Sequence, residues 1–436
     1  MTDSPSTADR LAALLDHLGM GRAHIASQIP GDVAGLAAAY PERLGGIVCV
    51  TPIRLDPAPF AGVADRMLLV AGEYGPTFEV TTRAMARLPG AQHFFLDGYE
   101  AQGWADTAAD RTHELVEAME VFLAGHAAAA PKIAGAEGEH AGITYRIEGS
   151  GPALILMPFF LAASQWAPAR PGLAKHFTTI TVGGRHIGGM AMLEDRAAAP
   201  SYRAMFRSLV DAMAPQPGDT ILDIGCGAGS LDRQLARLVP NKITAIDPNT
   251  FLLSEAAALA ASEGLGDRIE FLPGNAEALP FPDATFGCVF SVTVFEECDA
   301  DKALAEAIRV TKPGGRIAIA VRAIDLPQWW NLDLPEPIQR KVNATPRSVG
   351  PGGVADASLY RRMRRAGLTE LVSYPALITL DRPDGPIWRY REDHVLSLLS
   401  ADELPVWQAA RDKAAAEGTL ICSHVLHCCI GSKAAA

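Results

Sequence analysis

GDTILDIGCGAGSLDRQLARLVPNKITAIDPN, Gly218 to Asn249, decides the fold of the second half of the chain. TILDI is an apolar run that reads as a buried strand carrying Asp223 near its end. The turn G-C-G-A-G follows, and a helix starts near Ser230. Gly225, Gly227 and Gly229 let the backbone bend tightly and leave no side chain between it and a ligand. ITAI is a second strand ending at Asp247, where a carboxylate can accept both hydroxyls of a ribose. Strand, glycine turn, helix and strand together make the repeating unit of a parallel α/β sheet.

A nicotinamide-dinucleotide fingerprint is the rival reading, because G-x-G-x-G alone is a weak signal. A dinucleotide sets its pyrophosphate on a helix N-terminus, usually through G-x-G-x-x-G. Here position 230 is Ser, and the acidic Asp223 precedes the glycines. A carboxylate there suits a ligand with a cationic amine and repels phosphate.

Further along, GNAEALPFPDATFGCVFSVTVFEECDADKALAEAIRVTKPGGRIAIAV, Gly274 to Val321, gives a loop, a strand, a helix and a Lys-Pro-Gly-Gly turn into another strand. With these motifs in order, residues 202 to 436 resemble the class I S-adenosylmethionine-dependent methyltransferases, particularly the small-molecule branch that includes quinone-biosynthesis C-methylases. The resemblance implies a Rossmann-like seven-stranded sheet, S-adenosyl-L-methionine as cofactor and a small-molecule methyl acceptor as partner. It implies that Asp223 with Gly225, Cys226, Gly227 and Gly229 holds the methionine part, and Asp247 the ribose hydroxyls. Asn275 and Ala276 would meet the adenine edge, with Pro248, Glu277 and Ser291 completing the set. The chain departs from the family at Asn275, where Asp is common, and at Phe295-Glu296-Glu297, where Leu-Glu-His is usual.

Methyl transfer needs a general base only if the acceptor is a hydroxyl or an acidic carbon. Glu296, Glu297, His424 and His427 are the titratable candidates. TLICSHVLHCCIG, Thr419 to Gly431, looks like a Cys/His metal cluster, but its spacing is strand alternation, with His427 on one face and Cys422, His424 and Cys428 on the other. No metal is expected. Trp329, Trp330, Trp388 and Tyr390 fit either an aromatic acceptor pocket or core filling. RRMRR, Arg361 to Arg365, reads as a solvated helix face.

The first half alternates strands and helices as well: strands at His24–Ser27, Gly46–Val50, Arg66–Ala71 and Gln92–Leu96, helices at Ala8–Leu18, Asp32–Tyr40, Glu79–Leu88 and Ala108–Leu123. AAAAPKIAGAEGE, Ala127 to Glu139, is a linker by composition. ITYRIEG, ALILMPFF and TTITVGG add strands, with a helix near Ala167–Lys175 between the last two. Residues 1 to 126 resemble the second part of a capless α/β-hydrolase, and residues 139 to 190 its first part. The implied order is that of a circular permutation; fragments completing one another between chains is the alternative.

The resemblance also exposes missing chemistry. The nucleophile elbow needs G-x-S-x-G because the strained turn leaves no room for side chains two residues either side of the serine. In HIASQIP the nucleophile position is Gln28, flanked by Ala26 and Pro30, and glutamine forms no acyl intermediate. Centring on Ser27 gives Ile25 and Ile29, both β-branched. The acidic position falls on Gly75, the histidine position on Ala101, and the oxyanion stretch reads MPFFL, Met157 to Leu161, where glycine is usual. Arg185 and His186 are the remaining ligand-contact candidates, and the domain is expected to be structural or to shape the acceptor site.

The chain therefore reads as two α/β domains, residues 1–195 and 196–436. A net charge of −12 without clustered basic residues argues against nucleic acid. Seven cysteines with no CxxC pair suit a reducing, cytoplasmic setting. No apolar run approaches the roughly 20 residues that cross a bilayer. A homodimer is compatible with this reading. The alternatives to a methyltransferase are a non-catalytic S-adenosylmethionine-binding scaffold and a nicotinamide-dependent oxidoreductase.

Overall fold

The computed structural model describes all residues except 1–4, 102–105, 133–135, 160–161, 185, 346–348, 384, 401 and 436. Arg185, and Phe160 and Leu161 of the MPFFL stretch, lie outside the described residues. The chain divides into two compact units, Met1–Met192 and Leu193–Ala436. Among the described residues no helix is long and apolar enough to cross a membrane.

Among the described residues the first unit is built on eight strands: β1 Ala23–Ser27, β2 Leu44–Val50, β3 Met67–Tyr74, β4 Gln92–Glu100, β5 Glu137–His140, β6 Ile143–Gly149, β7 Ala153–Leu156 and β8 Thr178–Gly183. Their order in the sheet is β4-β3-β2-β1-β7-β8-β6-β5. All neighbours run parallel except β6 against β8 and β5 against β6. Every residue of β1 and β2 is buried, as expected of parallel strands covered on both faces. Ile25 of β1 sits between Ile47 of β2 and Ile155 of β7, so the early and late strands share one ladder.

Three local expectations change. The Ala-rich linker is shorter than its composition suggests, because Glu137–His140 pairs with β6 as a strand. Its first part is held by backbone bonds, Ala129 N–H to the Arg22 carbonyl and Lys132 N–H to that of Leu18, both 2.9 Å. The helix expected over Ala108–Leu123 is interrupted at Arg111, giving Thr107–Asp110 and Thr112–Leu123. The helix expected near Ala167–Lys175 shrinks to Arg170–Leu173, where Pro171 can start a turn but Gly172 weakens its continuation.

The second unit contains β9 Thr220–Ile224, β10 Lys242–Asp247, β11 Ile269–Pro273, β12 Phe286–Val292, β13 Thr311–Arg322, β14 Trp329–Trp330, β15 Thr369–Leu380 and β16 Cys422–Ser432. The order is β11-β10-β9-β12-β13-β16-β14, with β15 on the other side of β16. Among the described residues the sheet thus has eight strands where seven were expected. β13 pairs with β16 only from Leu426 onward, which leaves Cys422 and Ser423 free to pair with Trp330 and Trp329 of the added strand.

The five strands from β11 to β13 are parallel, and β16 is antiparallel to β13. Successive residues face opposite sides. Ile221 and Phe290 pack with Tyr202, Phe206 and Trp388 on one face, while Leu222 and Val289 pack with Phe295, Leu304 and Met363 on the other. Asn249 caps the helix Thr250–Ser262 by accepting from Leu252 N–H at 2.8 Å, which starts it directly after β10.

Candidate functional site

The carboxyl ends of β9, β10 and β12 converge on the glycine turn, the usual ligand side of a parallel α/β sheet. Gly225 has φ +80°, and a side chain there would overlap Val294 in the loop after β12. Gly229, at φ +67°, starts the helix Ser230–Leu238, and a Cβ would come within 2.8 Å of the Phe271 ring. Both positions require glycine for conformation and for space. The turn is pinned from below by Gly225 and Cys226 N–H donating to the Ile246 carbonyl at 2.8 and 2.9 Å.

Asp247 ties the two loops together. Its Oδ2 accepts from Gly227 N–H and its Oδ1 from Asn249 N–H, each at 3.0 Å. Each carboxylate oxygen keeps a second lone pair for a ligand hydroxyl. Asp223 is buried behind the turn and faces Asp232, a residue of the following helix that is wholly buried. Burial, then the repulsion between the two carboxyls, pushes Asp223 far above the usual carboxylate range. The two carboxyls hydrogen-bond each other, which requires that one of them hold a proton. Burial, then Asp232 and Asp223, also keeps the Cys226 thiol protonated.

A second carboxylate missed by sequence reasoning is Glu194. It accepts from the Ser230 hydroxyl and, at 2.6 Å, from Arg233 Nη2, placing a negative charge at the N-terminus of the helix after the glycine turn. A pyrophosphate would need that same helix end. Glu194 precedes Ser230 by 36 residues, and no local motif announces the contact.

The remaining cofactor candidates divide. Asn275 is exposed beyond β11, its Oδ1 accepting from Glu277 N–H at 2.9 Å, and Ala276 is buried beside it. The Glu277 side chain turns to helix Ala300–Val310 instead, accepting from Asp299 N–H at 2.9 Å. Ser291 is buried and donates to the Ile224 carbonyl at 2.8 Å, clamping β12 to β9. Pro248 is exposed between β10 and its helix.

The four base candidates separate too. Glu296 is fully buried; its Oε1 accepts from Arg322 N–H at 2.6 Å, and burial pushes the carboxyl up to about 7. His424 is buried on the face of β16 that packs with Tyr202 and Trp388, and burial, then three arginines, holds it well below the usual imidazole range. Glu297 is exposed and paired with Arg322 at 3.0 Å. His427 points to the opposite face and meets Asp325 at 2.8 Å.

The tryptophans resolve as core. Trp330, Trp388 and Trp407 are buried and meet edge to face at 5.0 and 5.2 Å, which favours core filling over an acceptor wall for Trp330 and Trp388, while Trp329 is exposed. RRMRR keeps Met363 in the core and turns its arginines outward, Arg362 meeting Asp301 at 2.6 Å. Thr293, just past β12, has φ +59°, a strained conformation for a β-branched residue, beside Val294 over the glycine turn.

Residues 222–319 match the family model described as a methyltransferase domain. The second half of the chain is thus similar, over these residues, to methyltransferase domains. The ubiquinone/menaquinone biosynthesis C-methyltransferase UbiE of Hahella chejuensis is 36% identical over 131 residues, 29% of this chain and 53% of that protein. UbiE of Escherichia coli is 34% identical over 131 residues, 29% and 52% of the two chains. The chain spans about half the length of these curated relatives. The crystal structure of the YcgJ protein of Bacillus subtilis aligns with a TM-score of 0.38 and 18% identity, over 54% of this chain and 100% of that one.

In the first unit, Gln28 is buried at the end of β1 and donates to Thr51 Oγ1 at 3.1 Å, and Thr51 in turn meets Thr107 Oγ1 at 2.9 Å. The Ser27 hydroxyl is buried and closed on Ile29, donating to its carbonyl at 2.9 Å and accepting from its N–H at 3.0 Å. Gly75, at φ +82°, begins the helix Pro76–Met85, and Ala101 is fully buried. His186 lies against Gly142.

Proposed function

We propose that the chain transfers a methyl group from S-adenosylmethionine to a small organic acceptor, using the second unit as its catalytic unit. The observation that carries this reading is the acidic ring around the glycine turn: Asp223 with Asp232 behind it, Asp247 beside it and Glu194 on the helix N-terminus. That ring suits a cation and a ribose and disfavours a pyrophosphate. S-adenosylmethionine, when bound, supplies a methyl group on a positively charged sulfur, ready for in-line displacement.

The chain's own residues would bind and orient. Asp223 would face the ammonium of the methionine part, Asp247 the ribose hydroxyls, and Asn275 with Ala276 the adenine edge. Ser291 is assigned a structural role, because its hydroxyl proton is already donated to Ile224. Glu296 and His424 are the retained base candidates. A carboxyl held near 7 suits proton removal at neutral pH from a hydroxyl or an acidic carbon.

The first unit we read as an α/β-hydrolase-like sheet in permuted order, without hydrolytic activity. Followed from β5 to β8 and then from β1 to β4, the strands cross the sheet edge to edge with a single exchange, of β7 and β8. Such rearrangement is tolerated where termini lie in exposed segments. Gln28, Gly75 and Ala101 stand where a nucleophile, an acid and a histidine would be needed. An active-serine phosphonate is expected to leave Ser27 unlabelled; labelling at that residue would contradict the inactive reading.

The methyltransferase reading is tested by thermal-shift and mass-spectrometric measurements on the full chain. S-adenosylmethionine should raise the melting temperature while NAD and NADP do not, and an acceptor library should yield S-adenosylhomocysteine. Stabilisation by a nicotinamide cofactor alone would overturn the reading. Tight cofactor binding with no release on any acceptor would favour a scaffold.

A further inference from the structure

Arg391 is 8% exposed, lies on the helix Pro386–Leu398, and its Nε has no hydrogen-bond partner among the described residues. Arg196 has the same orphaned Nε and stacks over the Tyr202 ring at 5.2 Å. Around them stand Tyr202, whose hydroxyl is buried beside Thr293, and His424, whose buried Nδ1 has no hydrogen-bond partner among the described residues. Arg322 and Arg196 both repel Arg391, and all three arginines act on His424, so four elements bring their polar ends to one place.

The charges there do not balance. Arg322 is committed to Glu296 and Glu297, at 3.5 and 3.0 Å. Arg196 and Arg391 form no ion pair among the described residues. Burying a guanidinium without a counter-charge is unfavourable, and a planar fork with free N–H groups matches an oxyanion.

The location is on the ligand side of the sheet. Arg322 ends β13, and Tyr202 interacts with Thr293, which follows β12. The neighbouring Val294 is the residue that closes over Gly225 of the cofactor turn.

We infer that this cluster is the acceptor subsite, and that the acceptor carries an anionic oxygen group, a carboxylate or a phosphate, received by Arg391 and Arg196. The inference rests on the methyltransferase reading and adds the acceptor's chemical class. The anion supplies the missing counter-charge, while Tyr202 and His424 offer hydrogen bonds to the same group.

The test uses the full chain saturated with S-adenosylhomocysteine and titrated at constant ionic strength with sodium benzoate, with inorganic phosphate, or with sodium chloride alone. One of the two oxyanions should raise the melting temperature saturably above the chloride control, benzoate marking a carboxylate acceptor and phosphate a phosphorylated one. Arg391→Met should weaken that response at least about tenfold, the loss of one charge-assisted contact. S-adenosylhomocysteine affinity should stay within about twofold, since neither arginine is assigned to the cofactor. Arg196→Met, at a half-buried position, should weaken it in the same direction and serves if the first variant does not fold. No oxyanion response in the wild type, or an equal response in both variants, would overturn the inference. Failure of the wild type to bind S-adenosylhomocysteine would instead overturn the methyltransferase reading.

Discussion

Asp247→Ala is expected to lower S-adenosylmethionine affinity about 100-fold, while the chain still folds. Two hydrogen bonds from ribose hydroxyls to a carboxylate are worth together about 3 kcal/mol, which is that factor. The substitution also frees Gly227 and Asn249 N–H, which the carboxylate now holds at 3.0 Å, so the turn that carries the cofactor loosens with it. The cost to stability should be about 1–2 kcal/mol, because both N–H groups lie near the surface where water can reach them. Calorimetric titration with S-adenosylhomocysteine and a thermal melt of the same samples measure the two effects. Unchanged affinity would place the ribose elsewhere.

The second large effect is expected from Asp232→Asn. In the wild type, burial raises Asp232 from 3.8 to about 7, and Asp223 is raised with it. An acid raised in the folded state contributes stability that is fully present below its unfolded value and is lost as pH rises through the folded value. Wild-type stability should therefore fall between about pH 4 and pH 7 on account of this pair. Asparagine keeps the shape, donates one N–H to Asp223 and removes the like charge, so the variant should be more stable than wild type at pH 8 by on the order of 1–3 kcal/mol. Asp223 would then ionise at lower pH, and cofactor affinity near pH 6 should rise towards its value at pH 8. Parallel pH profiles of melting temperature and affinity for both proteins test this. A variant whose stability profile overlies that of wild type would show that the two carboxyls do not share a proton.

Legibility in the sequence followed the range of the interactions. Gly225 and Gly229 could be read directly, because a positive φ and a close approach leave few other residues possible. Asp247 was legible for a related reason: strand length fixes where β10 ends, and its carboxylate meets neighbours of known spacing. Alternation along Cys422–Ser432 separates His424 from His427 in the sequence itself, since a strand has a period of two.

Glu194, Asp232 and Arg391 were not legible. Each acquires meaning from a residue brought to it by the tertiary fold: Glu194 from Ser230, Asp232 from Asp223 across the strand-to-helix turn, and Arg391 from arginines on two other elements. Composition left the tryptophans open between a ligand wall and core filling, and the edge-to-face contacts of Trp330 with Trp388 and Trp407 decide for packing. The extra strand β14 was hidden because two residues carry no periodicity; only the overhang of β16 past β13 creates a place for them.

The crystal structure of the full chain with S-adenosylhomocysteine tests the central claim most directly. The ribose hydroxyls are expected on Asp247, the amino group towards Asp223 and the sulfur turned towards Thr293 and the arginine cluster. A ligand whose ribose lies away from Asp247, or whose sulfur faces away from the end of β12, would contradict it.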